Sequence, residues 1–189
     1  MIKQSGKWPF IFLSCALAAL FFASACAKKS TEMSLVERGK YLTNSGGCGD
    51  CHSPKMLTES GPVPDPKRLL SGYPAGAKLP EIPKSIFGPA QWGAITTNDM
   101  TAWVGVWGVS YSYNLTPDPR TGIGNWDDTM FVQSLRTGKF MGTSRDMLPP
   151  MPWQSIAQLS DYDLKAMLAY LKTLPPVENE IPEPVPPSQ

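Results

Sequence analysis

Cys48, Cys51 and His52 are the side chains of this chain best equipped for chemistry, and they stand together in the run Cys48-Gly49-Asp50-Cys51-His52. Two thiols three residues apart, followed at once by an imidazole, form the attachment signature of a c-type haem. The thiols make thioethers to two vinyl groups on one edge of the macrocycle, and the adjacent imidazole reaches the iron. His52 is the only histidine in 189 residues, so the opposite axial ligand is not a second histidine of this chain. Other readings of the cysteine pair are weaker. A thioredoxin-type C-x-x-C lies beside a βαβ pattern, and none surrounds this one. A closed zinc site takes about four Cys or His ligands, and past the leader the chain offers Cys48, Cys51 and His52. No second C-x-x-C-H occurs, so one covalent haem c is expected.

Methionine sulfur is the natural opposite ligand for a low-spin electron-transfer haem. Nine methionines compete. Met1 leaves with the leader, Met33 sits in a tether, Met130 and Met167 fall on predicted helices, and Met56 follows the motif too closely to reach the other face. Met100, Met141, Met147 and Met151 remain. Met151 is favoured, with Met147 as its rival, because Leu148-Pro149-Pro150-Met151-Pro152-Trp153 is a loop whose prolines lower the entropy of holding one sulfur in place. The ring nitrogen of His52 that faces away from the iron is expected to donate to a backbone carbonyl, and spacing alone suggests Pro62 or Pro64.

The elements that position these groups are legible in outline. Ser34 is an acceptable N-cap for a helix through 35–42. Gly39 inside that helix costs about 1 kcal/mol relative to alanine, which suggests a close helix crossing. Gly46-Gly47 ends the helix and leads into the haem motif. Residues 61–90 contain seven prolines, a density no regular helix survives, so an extended loop over one haem edge is expected. The aromatic and β-branched stretch 103–113 reads as a short strand pair or an irregular apolar wall. Its Trp107, Tyr111 and Tyr113 line the haem or donate to a propionate on one reading, and are ordinary core aromatics on the other. Asp127 caps a helix that Gly138 stops. Ser160-Asp161-Tyr162-Asp163 opens a last helix over 161–174, with Leu164, Met167, Leu168 and Leu171 on one face. Pro175-Pro176 ends it. The acidic, proline-rich tail 177–189 is expected to be extended and partly disordered.

The first residues read as an export leader. Lys3 and Lys7 precede an almost unbroken apolar stretch, 8–25, that ends in small residues. Ala23-Ser24-Ala25-Cys26 resembles a lipobox with alanine in place of the usual leucine. A signal peptide over 1–25 is therefore expected, with Cys26 as lipidation candidate at the head of a 26–33 tether. An ordinary signal-peptidase site releasing a soluble periplasmic protein, and an uncleaved anchor, are the alternatives. Each places the domain outside the cytoplasmic membrane. Loss of Lys3 and Lys7 turns the charge balance from 17 basic against 16 acidic to 15 against 16. No single-sign field remains to argue for nucleic acid. Twenty prolines and sixteen glycines indicate long ordered loops.

The order helix, C-x-x-C-H, loop, methionine loop and terminal helix resembles class I cytochrome c. Further motifs narrow the resemblance: Arg38-Gly39-x-Tyr41-Leu42, Leu70-Ser71-Gly72, Asn114-Leu115-Thr116-Pro117-Asp118, Thr121-Gly122-Ile123-Gly124-Asn125-Trp126, Leu135-Arg136-Thr137-Gly138, Pro149-Pro150-Met151-Pro152-Trp153 and Leu168-Ala169-Tyr170-Leu171. These resemble the cytochrome c domains of the cytochrome subunits of quinoprotein alcohol dehydrogenases, over nearly all of 35–176. Those subunits carry several haem domains, and this chain has the motif for one. The resemblance implies an all-α cytochrome c fold with long Pro/Gly-rich loops over 34–176. It also assigns the axial role to the methionine of Pro-Pro-Met-Pro, Met151.

The expected function is one-electron transfer by a haem with His52 and Met151 as axial ligands, in an exported respiratory or dehydrogenase-linked chain. The expected partners are a dehydrogenase, a cytochrome or an oxidase, with the membrane reached through a lipid anchor at Cys26. Two alternatives stand beside it: a haem relay or docking subunit of a membrane complex, and a haem enzyme with an open iron site. The last needs a distal acid–base residue, and the chain has no second histidine.

Overall fold

The computed structural model describes residues 32–83, 87 and 91–187. The leader 1–25 and Cys26 lie outside the described residues, as does most of the 26–33 tether. The helices are α1 (Leu35–Ser45), α2 (Cys48–His52), α3 (Asp128–Thr137), α4 (Trp153–Ile156) and α5 (Asp161–Leu171). Their ends follow the cap residues. Ser34 Oγ accepts the Glu37 N–H at 3.2 Å while Glu37 Oε2 accepts the Ser34 N–H at 2.9 Å, a reciprocal capping box at the head of α1. Asp127 accepts the Met130 N–H at 2.7 Å, and Gly138 closes α3 in the left-handed conformation. Ser160 caps α5 as expected, accepting the Asp163 N–H at 3.1 Å, and the Asp163 carboxylate takes Arg38 Nε of α1 at 2.8 Å.

That ion pair sits where α1 crosses α5. A Cβ on Gly39 would collide with the Ala166 carbonyl, so the crossing requires a residue without a side chain. Leu164, Met167, Leu168 and Leu171 of α5 are all buried, and they join Phe131 and Leu135 of α3 with Ile123, Trp126 and Leu70 in one core. The 3.6-residue stripe seen in the sequence is therefore the face that α5 gives to the core.

The all-α expectation is wrong. Strands β1 (Lys55–Thr58) and β2 (Gly61–Pro64) form an antiparallel hairpin, and β3 (Ala94–Thr96), β4 (Ala102–Gly105) and β5 (Gly108–Tyr111) form an antiparallel sheet in that order. The domain mixes α and β. The physical reason is that proline excludes helix interiors but is tolerated on edge strands. In a two-stranded ribbon both strands are edges, and Pro62 and Pro64 face Leu57 and Lys55 there. Between β4 and β5, Val106-Trp107 turns the chain and Gly108 takes φ +96°, so the β-branched and aromatic stretch is realised as a hairpin. The described residues 65–83 form no helix or strand, as the prolines require.

The described tail, 177–187, is extended as expected, and it is also tied down: the Val177 N–H donates to Thr116 Oγ1 at 3.0 Å, Asn179 is buried, and Val185 exchanges both backbone bonds with Val109 at 2.7 and 3.0 Å. Composition favours disorder there, and specific polar pairing overrides it. Among the described residues no helix is long and apolar enough to cross a membrane.

Candidate functional site

Gly47 opens the site. It sits at φ +67° as the N-cap of α2, and the Asp50 N–H folds back onto its carbonyl at 2.9 Å. The single turn of α2 that follows places Cys48 and Cys51, three residues apart, on one side, with His52 one residue further. Both thiols are free and half-buried, and Cys48 packs against the core. Burial pushes the Cys48 thiol up to about 11 and raises Cys51 as well. A disulfide-exchange nucleophile needs a lowered thiol pKa, so these are neutral thiols suited to a different fate.

His52 Nδ1 lies 2.7 Å from the Tyr113 carbonyl oxygen. A carbonyl only accepts, so Nδ1 carries the proton and the Nε2 lone pair is left for a metal. Burial lowers the imidazole pKa, with the Tyr113 carbonyl opposing, which keeps the ring neutral as a ligand must be. The expected partners Pro62 and Pro64 do not supply this carbonyl. They are committed to the β1–β2 ribbon, which follows His52 too closely to return beneath its ring.

A short turn holds the rest of the motif. The Gly72 N–H donates to the His52 carbonyl at 2.7 Å, and the Leu70 N–H donates to Ser53 Oγ at 2.9 Å. The Leu70 carbonyl accepts the Leu115 N–H at 2.8 Å, and the Tyr73 N–H donates to the Ser112 carbonyl at 2.9 Å. Leu70 stands at φ +59° and Gly72 at φ +80°. The turn 70–73 is thus threaded between the exit of the haem motif and the segment that carries the Tyr113 carbonyl. Beside it, the rings of Tyr113, Trp126 and Phe140 form an aromatic wall, with centroids 4.9 Å apart for Tyr113 and Phe140 and 5.5 Å for Trp126 and Phe140.

Met151 is half-buried and packs against the same core as Cys48, Tyr113 and Phe140. Its loop is pinned at several points. The Met147 N–H donates to the Gly138 carbonyl at 2.7 Å, and Ser110 Oγ of β5 donates to the Pro149 carbonyl at 2.6 Å. Trp153 lies against Gly138, where a Cβ would strike its ring. The rival methionines are placed differently. Met141 is exposed, Met100 is held within the 97–103 turn, and Met147 is half-buried but not among the residues packed on the core. The donor set fits a covalently held c-type haem: two neutral thiols on one helical turn, an imidazole with Nε2 free, an aromatic wall, and a half-buried thioether on a braced loop. A concavity of about 410 Å³ is lined by Trp126, Asp127, Asp128, Thr129, Leu168, Ala169 and Lys172; it shares Trp126 with the aromatic wall but holds neither thiol, nor His52, nor Met151.

Trp107, Tyr111 and Tyr113 make different contacts within the protein. Trp107 Nε1 donates to Ser110 Oγ at 3.2 Å and so supports the methionine loop, whereas Tyr111 packs on Tyr73. Tyr113 matters through its carbonyl as well as its ring. Nothing in the residue types of Ser53, Gly72, Ser110 and Asn179 singles them out. Only the Leu70-Ser71-Gly72 motif carries a signal, through a glycine that the turn needs at positive φ.

No family model matches the chain. It is 33% identical over 159 residues to the gluconate 2-dehydrogenase cytochrome c subunit of Pantoea cypripedii, covering 84% of this chain and 27% of that protein. It is 30% identical over 169 residues to the cytochrome c subunit of the quinone-type alcohol dehydrogenase of Gluconobacter oxydans, covering 89% and 27%. It is 26% identical over 149 residues to the fructose dehydrogenase cytochrome subunit of Gluconobacter japonicus, covering 78% and 23%. The chain spans about a quarter of the length of these curated relatives. The similarity runs over most of the chain. The chain therefore carries a cytochrome c domain resembling those of dehydrogenase cytochrome subunits.

Proposed function

We propose that this chain holds one haem c through thioethers at Cys48 and Cys51, with His52 and Met151 as axial ligands, and carries single electrons away from a dehydrogenase outside the cytoplasmic membrane. The observation that carries the reading is the 2.7 Å contact from His52 Nδ1 to the Tyr113 carbonyl, directly after two free thiols on one turn. The haem supplies a one-electron ferric–ferrous couple. The protein supplies the rest. Tyr113 fixes the tautomer and orientation of the imidazole. Ser110 and Gly138 hold the loop that presents Met151, so little rearrangement accompanies a change of charge. The aromatic wall of Tyr113, Trp126 and Phe140 keeps water away. The chain makes and breaks no bonds in a substrate. The export leader 1–25 and a lipid at Cys26 would keep it at the membrane, facing the periplasm.

The dehydrogenase is favoured over other partners because the relatives are named as dehydrogenase cytochrome subunits. A relay role within a stable complex uses the same chemistry, and co-purification of a dehydrogenase with the tagged chain would establish it.

The test is an optical and proton NMR spectrum of the chain matured in a host that attaches haem c, in both redox states. A methionine–iron charge-transfer band and strongly shifted methionine methyl signals are expected. They should vanish in Met151→Ala and persist in Met147→Ala. A high-spin iron with an open position in the parent protein would defeat the axial assignment and bring the enzyme reading forward.

A further inference from the structure

Asn179 is a buried polar side chain in the tail, and its bonds converge on one turn. Its Nδ2 donates to the Ser71 carbonyl at 2.6 Å and to the Tyr73 carbonyl at 2.8 Å. Its Oδ1 accepts the Ala75 N–H at 2.8 Å, and its own N–H donates to Thr121 Oγ1 at 2.9 Å. The amide orientation follows from the network, since two carbonyls demand the NH₂ end and one N–H demands the oxygen. The two carbonyls flank Gly72. Gly72 in turn gives its N–H to the His52 carbonyl, and its Cα faces the Ser112–Tyr113 peptide so closely that a Cβ would meet the Tyr113 carbonyl oxygen at 2.8 Å. That oxygen is the acceptor for His52 Nδ1.

We propose that Asn179 is a positioning residue for His52. The tail clamps the 71–73 turn, and the clamped turn sets where the Tyr113 carbonyl stands relative to the imidazole. The inference rests on the haem reading above. Loss of the clamp lets the turn relax, lengthens the contact from Nδ1 to Tyr113, and makes the imidazole a weaker donor. A less basic ligand stabilises the ferric state less, so the reduction potential rises.

The experiment uses the full chain matured with haem, compared as parent, Asn179→Ala and Val185→Pro. The last removes the strap's distal N–H donor to Val109 without touching 71–73. Potentials are read by mediated titration, and the His52 ring signals by hyperfine-shifted proton NMR. Asn179→Ala should raise the potential by at least about threefold in the one-electron equilibrium constant, about 28 mV, and move the His52 Nδ1–H signal. Val185→Pro should change neither, although it lowers the melting temperature. An unmoved potential and ring signal in Asn179→Ala, or an equal change in Val185→Pro, would overturn the proposal. If Asn179→Ala does not accumulate, Asn179→Ser keeps one donor and should shift both readouts in the same direction by less; parental values there would also overturn it. A parent chain that matures without haem defeats the haem reading and this inference together, whereas unchanged variants on a haem-loaded parent defeat this inference alone.

Discussion

Single polar atoms decide much of this domain. Asn114 is fully buried and accepts the Thr116 N–H at 3.0 Å while its Nδ2 donates to the Val177 carbonyl at 2.7 Å. Asp118 accepts the Thr121 N–H and Oγ1–H, both at 2.7 Å, and these bonds hold its carboxyl below the usual carboxylate range. A folded-state pKa below the unfolded one contributes stability above the unfolded value, and that contribution is lost as pH falls through the folded value. Denaturant titrations at about pH 7 and about pH 3 should therefore show the parent losing stability across the window. Asp118→Asn should start less stable and show a flatter dependence. Equal slopes would mean that Asp118 is not a source of the acid sensitivity.

Helix crossings and strand braces set the next level. Gly39 allows α1 to touch the backbone of α5 at Ala166, and Arg38 and Asp163 fasten the same place. Gly39→Val should cost about 3 kcal/mol or more in a urea titration, because the clash is with backbone that cannot yield. The strand β5 makes a different kind of link. Ser110 bonds the methionine loop, and three residues on, Tyr113 bonds His52. Ser110→Ala should cost about 1 kcal/mol and broaden the Met151 methyl signals while leaving those of His52 sharp. The helices are legible because caps and apolar spacing are written in side chains: Ser34, Asp127, Gly138 and the Leu164–Leu171 stripe all stand where their residue types place them. The strands are less so. Prolines at 62 and 64 exclude helix without saying that a ribbon replaces it. The partner of His52 is illegible, since every residue owns a carbonyl and only the long-range path of the chain brings Tyr113 to the ring.

Charge is nearly balanced in number, with 17 basic and 16 acidic residues in the full chain. Exposed apolar side chains such as Leu57, Trp92 and Val106 punctuate the surface. Encounter with a redox partner is then governed by short-range contact rather than by a long-range field. The second-order rate of electron exchange should change by less than about threefold between about 0.01 M and about 0.15 M salt, over which the Debye length falls from about 30 Å to about 8 Å. A steep fall in stopped-flow measurements would instead reveal a locally charged docking face. The order in which a chain is made adds one more consequence. Asn179 reaches back 108 residues to Ser71, and Tyr113 reaches back 61 residues to His52. Synthesis therefore delivers the two thiols before the residues that orient His52 and clasp the 71–73 turn. Cys48 and Cys51 thus emerge before Tyr113, whose carbonyl meets His52, and before Asn179, which ties down the 71–75 turn.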